Sequence, residues 1–168
     1  MQNAFKKRTN LVHRTLELWR PPVFAMDGGR WQKLKEAIRR YFDLQAGSAW
    51  TDLCAELPKV SGTIIDVGCG AQPFRSLIPS QAKYIGIDTI DAKSNFGYDV
   101  PDTIYFSGDT WPIENESVDS VLCSETLEHV LEPDLFLKEM HRCLRSQGRV
   151  ILTVPFAARW HFIPYDYW

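Results

Sequence analysis

The chain has 168 residues, a net charge of −2, 45% hydrophobic and 24% charged residues. That is about one domain's worth of chain with enough apolar material for a core, and no apolar run approaches the roughly 20 residues that would span a bilayer. The four cysteines, Cys54, Cys69, Cys123 and Cys143, are far apart with no Cys-x-x-Cys pair, which argues against a metal site and against a disulfide framework.

Residues 1–60 read as a helical extension. Helices are expected over 4–19, ended by Pro21 and Pro22, and over 30–44, with Trp31, Leu34, Ile38 and Phe42 at helical spacing and Gly47 as the break. A third, short helix over 49–57 leads to Pro58. The first quarter is basic (Lys6, Lys7, Arg8, Arg14, Arg20, Arg30, Lys33, Lys35, Arg39 and Arg40), so it could face an anionic partner or simply be solvated helix faces. It is not followed by an apolar stretch, so no signal peptide is expected and the chain is assigned to the cytoplasm. Basic residues are not interleaved with aromatics in the manner of an RNA-binding module, and no nucleic-acid partner is expected.

From residue 61 the pattern alternates. Strands are expected over 63–67, 83–88, 103–107, 120–124 and 149–154, helices over 73–78 and 133–144, and a loop over 92–101. Strands alternating with helices imply a doubly wound, mostly parallel α/β sheet, and ligands of such sheets lie beyond the carboxyl ends of the strands. The centre of the chain is Thr63-Ile64-Ile65-Asp66-Val67-Gly68-Cys69-Gly70, a β-branched run entering a glycine turn. Gly68 and Gly70 allow torsions other residues resist and let a ligand approach the main chain; an ordinary strand-to-helix turn is the plainer reading. A dinucleotide fingerprint would need a third glycine where Pro73 or Phe74 stands, and Pro73 has no amide hydrogen to give a pyrophosphate. A nicotinamide-dependent oxidoreductase is therefore disfavoured.

The ordered set Asp66-Val67-Gly68-Cys69-Gly70, Tyr84-Ile85-Gly86-Ile87-Asp88, Gly108-Asp109 with Trp111-Pro112-Ile113, and Ser117-Val118-Asp119 resembles the class I S-adenosylmethionine-dependent methyltransferases, and within them the type 11 methyltransferase domain. The resemblance runs over about residues 63–155 and departs at Gln72, where the family usually has a further glycine. It implies a Rossmann-like fold of seven strands, of which only five are legible. The last two strands are missing from the pattern, which suggests a truncated chain or one completed by self-association through its last strand.

The resemblance also implies S-adenosyl-L-methionine as cofactor. Gly68 and Gly70 would run beneath the methionine part, with Asp66 holding the loop amides or a water on the ligand's ammonium. Asp88 would accept from the two ribose hydroxyls. Asp109, with Thr110 and an apolar slot at Trp111, would take the adenine amino group. Ser124 and Glu125 would close the remaining side, and His129 is the candidate base. Asp88 as a turn residue, Asp109 as an Asx turn and His129 as a helix-terminus histidine are the plainer alternatives. The expected activity is methyl transfer to an unidentified small-molecule, sugar or lipid-linked acceptor, against a non-catalytic S-adenosylmethionine-binding module as the rival reading.

Overall fold

In the computed structural model, residues 29–31, 34, 35, 37, 38, 43–96, 99–155 and 167 are described; the helix expected over 4–19 and most of the aromatic tail lie outside them. Helix α1 (Leu44–Glu56) leads through a 3-10 turn to β1 (Thr63–Val67), followed by β2 (Lys83–Thr89), α2 (Ile90–Phe96), β3 (Thr103–Phe106), β4 (Val118–Ser124), α3 (Pro133–Cys143) and β5 (Leu144–Thr153). The strands form one sheet in the order β3-β2-β1-β4-β5, and all four pairings are parallel. The order reverses between β1 and β4, so the crevice at their carboxyl ends is where this architecture places a ligand.

Side-chain alternation sorts the strands onto two cores. Ile64 and Leu122 face one side with Leu53 of α1 and Leu57 of the 3-10 turn that follows it. Ile65, Val67, Val121 and Cys123 face the other with Met140 and Cys143 of α3. The end of α1 and the turn after it thus buttress the sheet, and burying Leu53 and Leu57 contributes about 1.5–3 kcal/mol each. Gly47 does not break this helix but lies inside it, its amide donating to Asp43 O at 2.8 Å.

Three other expectations are corrected. The helix expected over 73–78 is only a 3-10 turn, Arg75–Leu77. Gln72 turns into the left-handed region at φ 55°, and short i→i+3 bonds such as Leu77 N to Phe74 O (2.9 Å) carry the chain onward. The loop expected from residue 92 is helix α2, and Thr89 starts it by accepting from the amide of Ala92 at 3.0 Å. Finally, β5 begins at Leu144. Leu144 pairs with Val118, the next registered pair is Arg149 with Ser120, and the residues between bulge out. Regular pairing resumes at Arg149, where the β-branched pattern begins.

No helix among the described residues is long and apolar enough to cross a membrane.

Candidate functional site

The carboxyl edge of the sheet is built from three connections. The first is the glycine turn after β1. Gly68 and Gly70 have φ of 68° and 49°, and the amides of Gly68 and Cys69 donate to Ile87 O of β2 at 2.9 and 3.3 Å. The amide of Gly70 donates instead to Asp88 Oδ2 at 2.9 Å, and Asp88 Oδ1 accepts from Thr89 N at 2.8 Å. Asp88 is thereby clamped by one backbone amide per oxygen. Burial raises its pKa, opposed by those two amides.

Asp66 does not take up the turn's amides. Its carboxylate is buried on the α1 side of the sheet and accepts from Tyr84 Oη at 2.7 Å. Burial is the dominant effect and pushes its pKa up to about 7; the Tyr84 hydroxyl works against the rise and the neighbouring Asp88 adds to it. Burial likewise raises the pKa of the Tyr84 hydroxyl and the Cys69 thiol, which leaves Cys69 a protonated, filling side chain.

Gln72 stands where the resemblance leads one to expect a further glycine. It is wholly buried in a left-handed conformation that side chains other than Asn and Asp seldom adopt. Its Nε2 donates to Thr103 Oγ1 at 2.8 Å, and its Oε1 accepts from Arg75 Nη1 at 3.0 Å. Its amide end lies over Gly86, where an added Cβ would come within 3.0 Å of it. A missing side chain on β2 therefore makes room for the one added to the turn.

The second connection follows β3. Asp109 and Thr110 are exposed at its rim, but Trp111 is not a slot beside them. It is 3% exposed, inside the core, edge-on to Phe136 of α3 with ring centroids 5.1 Å apart. The indole is too large and apolar to leave at the rim when α3 offers an aromatic partner.

The third connection follows β4. Ser124 Oγ is hydrogen-bonded to Thr153 Oγ1 of β5 at 2.9 Å. Glu125 takes φ 51°, so no α-helical turn joins it to His129; His129 lies instead in a 3-10 turn, Leu127–His129, with its amide bonded to Thr126 O at 2.9 Å. Its Nε2 is 3.8 Å from Oε1 of the buried Glu128, whose backbone carbonyl accepts from Tyr167 N at 2.8 Å.

The sequence reading had not singled out Thr126. Its hydroxyl reaches Ser124 O at 3.1 Å and Val67 O at 3.4 Å, and its side chain occupies the space a Cβ on Gly68 would need. The glycine at 68 is thus required by both torsion and contact. Only the pairing of β1 with β4, invisible in the sequence, brings Thr126 there.

The clustering therefore brings Gly68, Gly70 and Asp88 into one bonded unit, joins it through Thr126 to the turn bearing His129, and leaves Asp66 bonded to Tyr84 and Asp109 and Thr110 on a separate, exposed rim. The turn's own backbone and a clamped acid are features able to hold a polar ligand.

A family model described as a methyltransferase domain matches residues 32–166. An uncharacterized methyltransferase of Mycobacteroides abscessus is 34% identical over 100 residues, a stretch that covers 54% of this chain and 39% of the relative. The chain thus spans well under half of that relative's length. Among solved structures, a chain of the complex between the Haloferax volcanii Trm112 methyltransferase activator and a methyltransferase is 21% identical with a TM-score of 0.48, covering 73% of this chain and 57% of that one. An S-adenosylmethionine-dependent methyltransferase of Listeria monocytogenes is 24% identical with a TM-score of 0.47, covering 65% of this chain and 55% of that one. With the domain match running through most of its length, the chain belongs to the methyltransferase-domain family.

Proposed function

We propose that this chain binds S-adenosylmethionine at the carboxyl edge of β1, β2 and β4 and directs its methyl group to a small-molecule, sugar or lipid-linked acceptor in the cytoplasm. The observation that carries the reading is the bond from Gly70 N to Asp88 Oδ2. It ties the turn that would lie under the ligand to the acid that would hold it. The fit is chemical as well as topological: each Asp88 oxygen already accepts one amide and keeps a lone pair, which gives a ribose diol two matched acceptors.

Gly68 and Gly70 would flank the methionine part, and Asp66 would act on its ammonium through a water. Asp109 and Thr110 would meet the adenine edge, while Ser124 and Glu125 would border the remaining side. The bound sulfonium supplies an already activated methyl group. The chain's residues then have to orient the acceptor and keep bulk water out, effects worth up to about 7–11 kcal/mol where alignment is complete. For a hydroxyl or amine acceptor, His129 is the residue assigned to take the proton, with the Glu128 carboxylate 3.8 Å from its Nε2. The outer edge of β5 supports a further element of the reading, pairing of that strand with a second copy of the chain.

The test is isothermal titration with S-adenosylhomocysteine. Micromolar binding is expected for the wild type, with a loss of at least about tenfold in Asp88→Ala. A folded Asp88→Ala variant of unchanged affinity would remove the ribose assignment.

A further inference from the structure

The connection bearing Asp109 and Thr110 is attached almost entirely to one helix. Arg142 of α3 donates through Nη2 to Trp111 O at 3.2 Å and through Nη1 to Ile113 O at 2.8 Å and Asn115 Oδ1 at 2.6 Å. Glu139, one turn earlier, accepts Trp111 N on Oε2 at 2.8 Å. Arg142 also grips both Glu139 oxygens, with Nε and Nη2 each 2.7 Å away. The last carbonyls of α3 complete the attachment: Arg142 O accepts Glu116 N and Cys143 O accepts Ser117 N, both at 2.9 Å. Both side chains of the pair are largely shielded, at 26% and 14% exposure, so this is not a solvated surface ion pair. A guanidinium fork that serves three loop acceptors and one carboxylate fixes orientation as well as distance, which a lysine could not do.

We infer that Glu139 and Arg142 are positioning residues for adenine recognition: their fork fixes the backbone at Trp111 and Ile113, and so sets where Asp109 and Thr110 stand at the rim. The inference rests on the reading that Asp109 meets the adenine amino group. A purely structural clamp would lower stability and weaken every ligand equally. A positioning clamp alters discrimination between bases.

The experiment compares affinities for S-adenosylhomocysteine and for S-inosylhomocysteine, in which the exocyclic amino group is replaced by oxygen. The wild type is expected to favour the adenine form by about tenfold or more, the strength of a hydrogen bond to a charged acceptor. Asp109→Asn should bring the ratio close to one, and a ratio unmoved there overturns the Asp109 assignment itself. With that control passed, Arg142→Lys and Glu139→Gln should each lower the ratio by several fold, while Arg145→Ala, which breaks an ion pair with Asp119 in the β5 bulge, should leave it alone. If folded Arg142→Lys and Glu139→Gln keep the wild-type ratio, whatever their effect on melting, the clamp is structural and the inference is overturned. Should Arg142→Lys fail to fold, Asn115→Ala removes one arm of the fork from the surface and is judged by the same ratio.

Discussion

Replacing Asp66 with Asn should make the protein more stable at pH 8 and leave it nearly unchanged at pH 4. Asp66 is buried in the fold with its pKa pushed up to about 7 from 3.8. A folded-state pKa above the unfolded one contributes stability that is whole below the unfolded value and is lost as pH rises through the folded one. The loss attributable to Asp66 therefore develops between about pH 4 and pH 7. A shift of roughly three units at about 1.4 kcal/mol per unit sets its size at about 4 kcal/mol. Asparagine is neutral throughout and keeps an oxygen for the Tyr84 hydroxyl, so the difference between variant and wild type should open by several kcal/mol across this window. The assay is urea unfolding followed by tryptophan fluorescence and circular dichroism at half-unit pH steps. Taking the difference between the two proteins cancels the titrations that are independent of Asp66 and leaves its coupling to Asp88 in the difference. Tyr84→Phe removes the interaction that opposes the rise and should move the window to higher pH. A difference that is flat from pH 4 to pH 8 would show that Asp66 is already ionised in its pocket, and the burial argument would be wrong.

Gly68→Ala forces a side chain into a left-handed residue and against Thr126; a loss of about 1–3 kcal/mol in urea unfolding is expected, and Thr126→Ser should recover part of it by removing the colliding methyl. Gln72→Ala should cost about 2–4 kcal/mol through two lost hydrogen bonds and the space left behind. Gln72→Gly should be the milder change if the left-handed torsion is a burden, and a Gly variant no more stable than the Ala one would contradict that. If Asp66 faces the ligand's ammonium through a water, S-adenosylhomocysteine binding near pH 7 should release protons, detected as a buffer-dependent titration enthalpy that disappears in Asp66→Asn. For the β5 edge, sedimentation should show a concentration-dependent dimer weakened by Val150→Lys, which places a charge on its exposed apolar face; a monomer at all concentrations would dismiss the pairing.

The sheet was legible because parallel strands covered on both faces are written as unbroken β-branched runs, and Ile64, Ile65, Val67 and Val121 sit in such runs. The acids at the strand ends, Asp66 and Asp88, were found by the same logic. What escaped depended on contacts between distant residues. Trp111 beside Asp109 looked like rim until α3 supplied Phe136. Gln72 looked like a mere departure until Gly86, on another strand, proved to be the space it uses. Helix α2 was hidden because Thr89, its start signal, also ends a strand. His129 was expected one α-helical turn after Glu125, and the left-handed torsion of Glu125 is not encoded by any residue type that favours it.

Thr126 against Gly68 also limits how such a protein can be redesigned. Segment 125–130, which faces the methyl acceptor on our reading, is keyed by the Thr126 side chain into the segment that would cradle the donor. Grafting that stretch from a homologue to change acceptor preference would therefore disturb donor affinity whenever the graft brings a bulkier residue to this position. Swapping the two stretches as a matched pair should avoid the penalty.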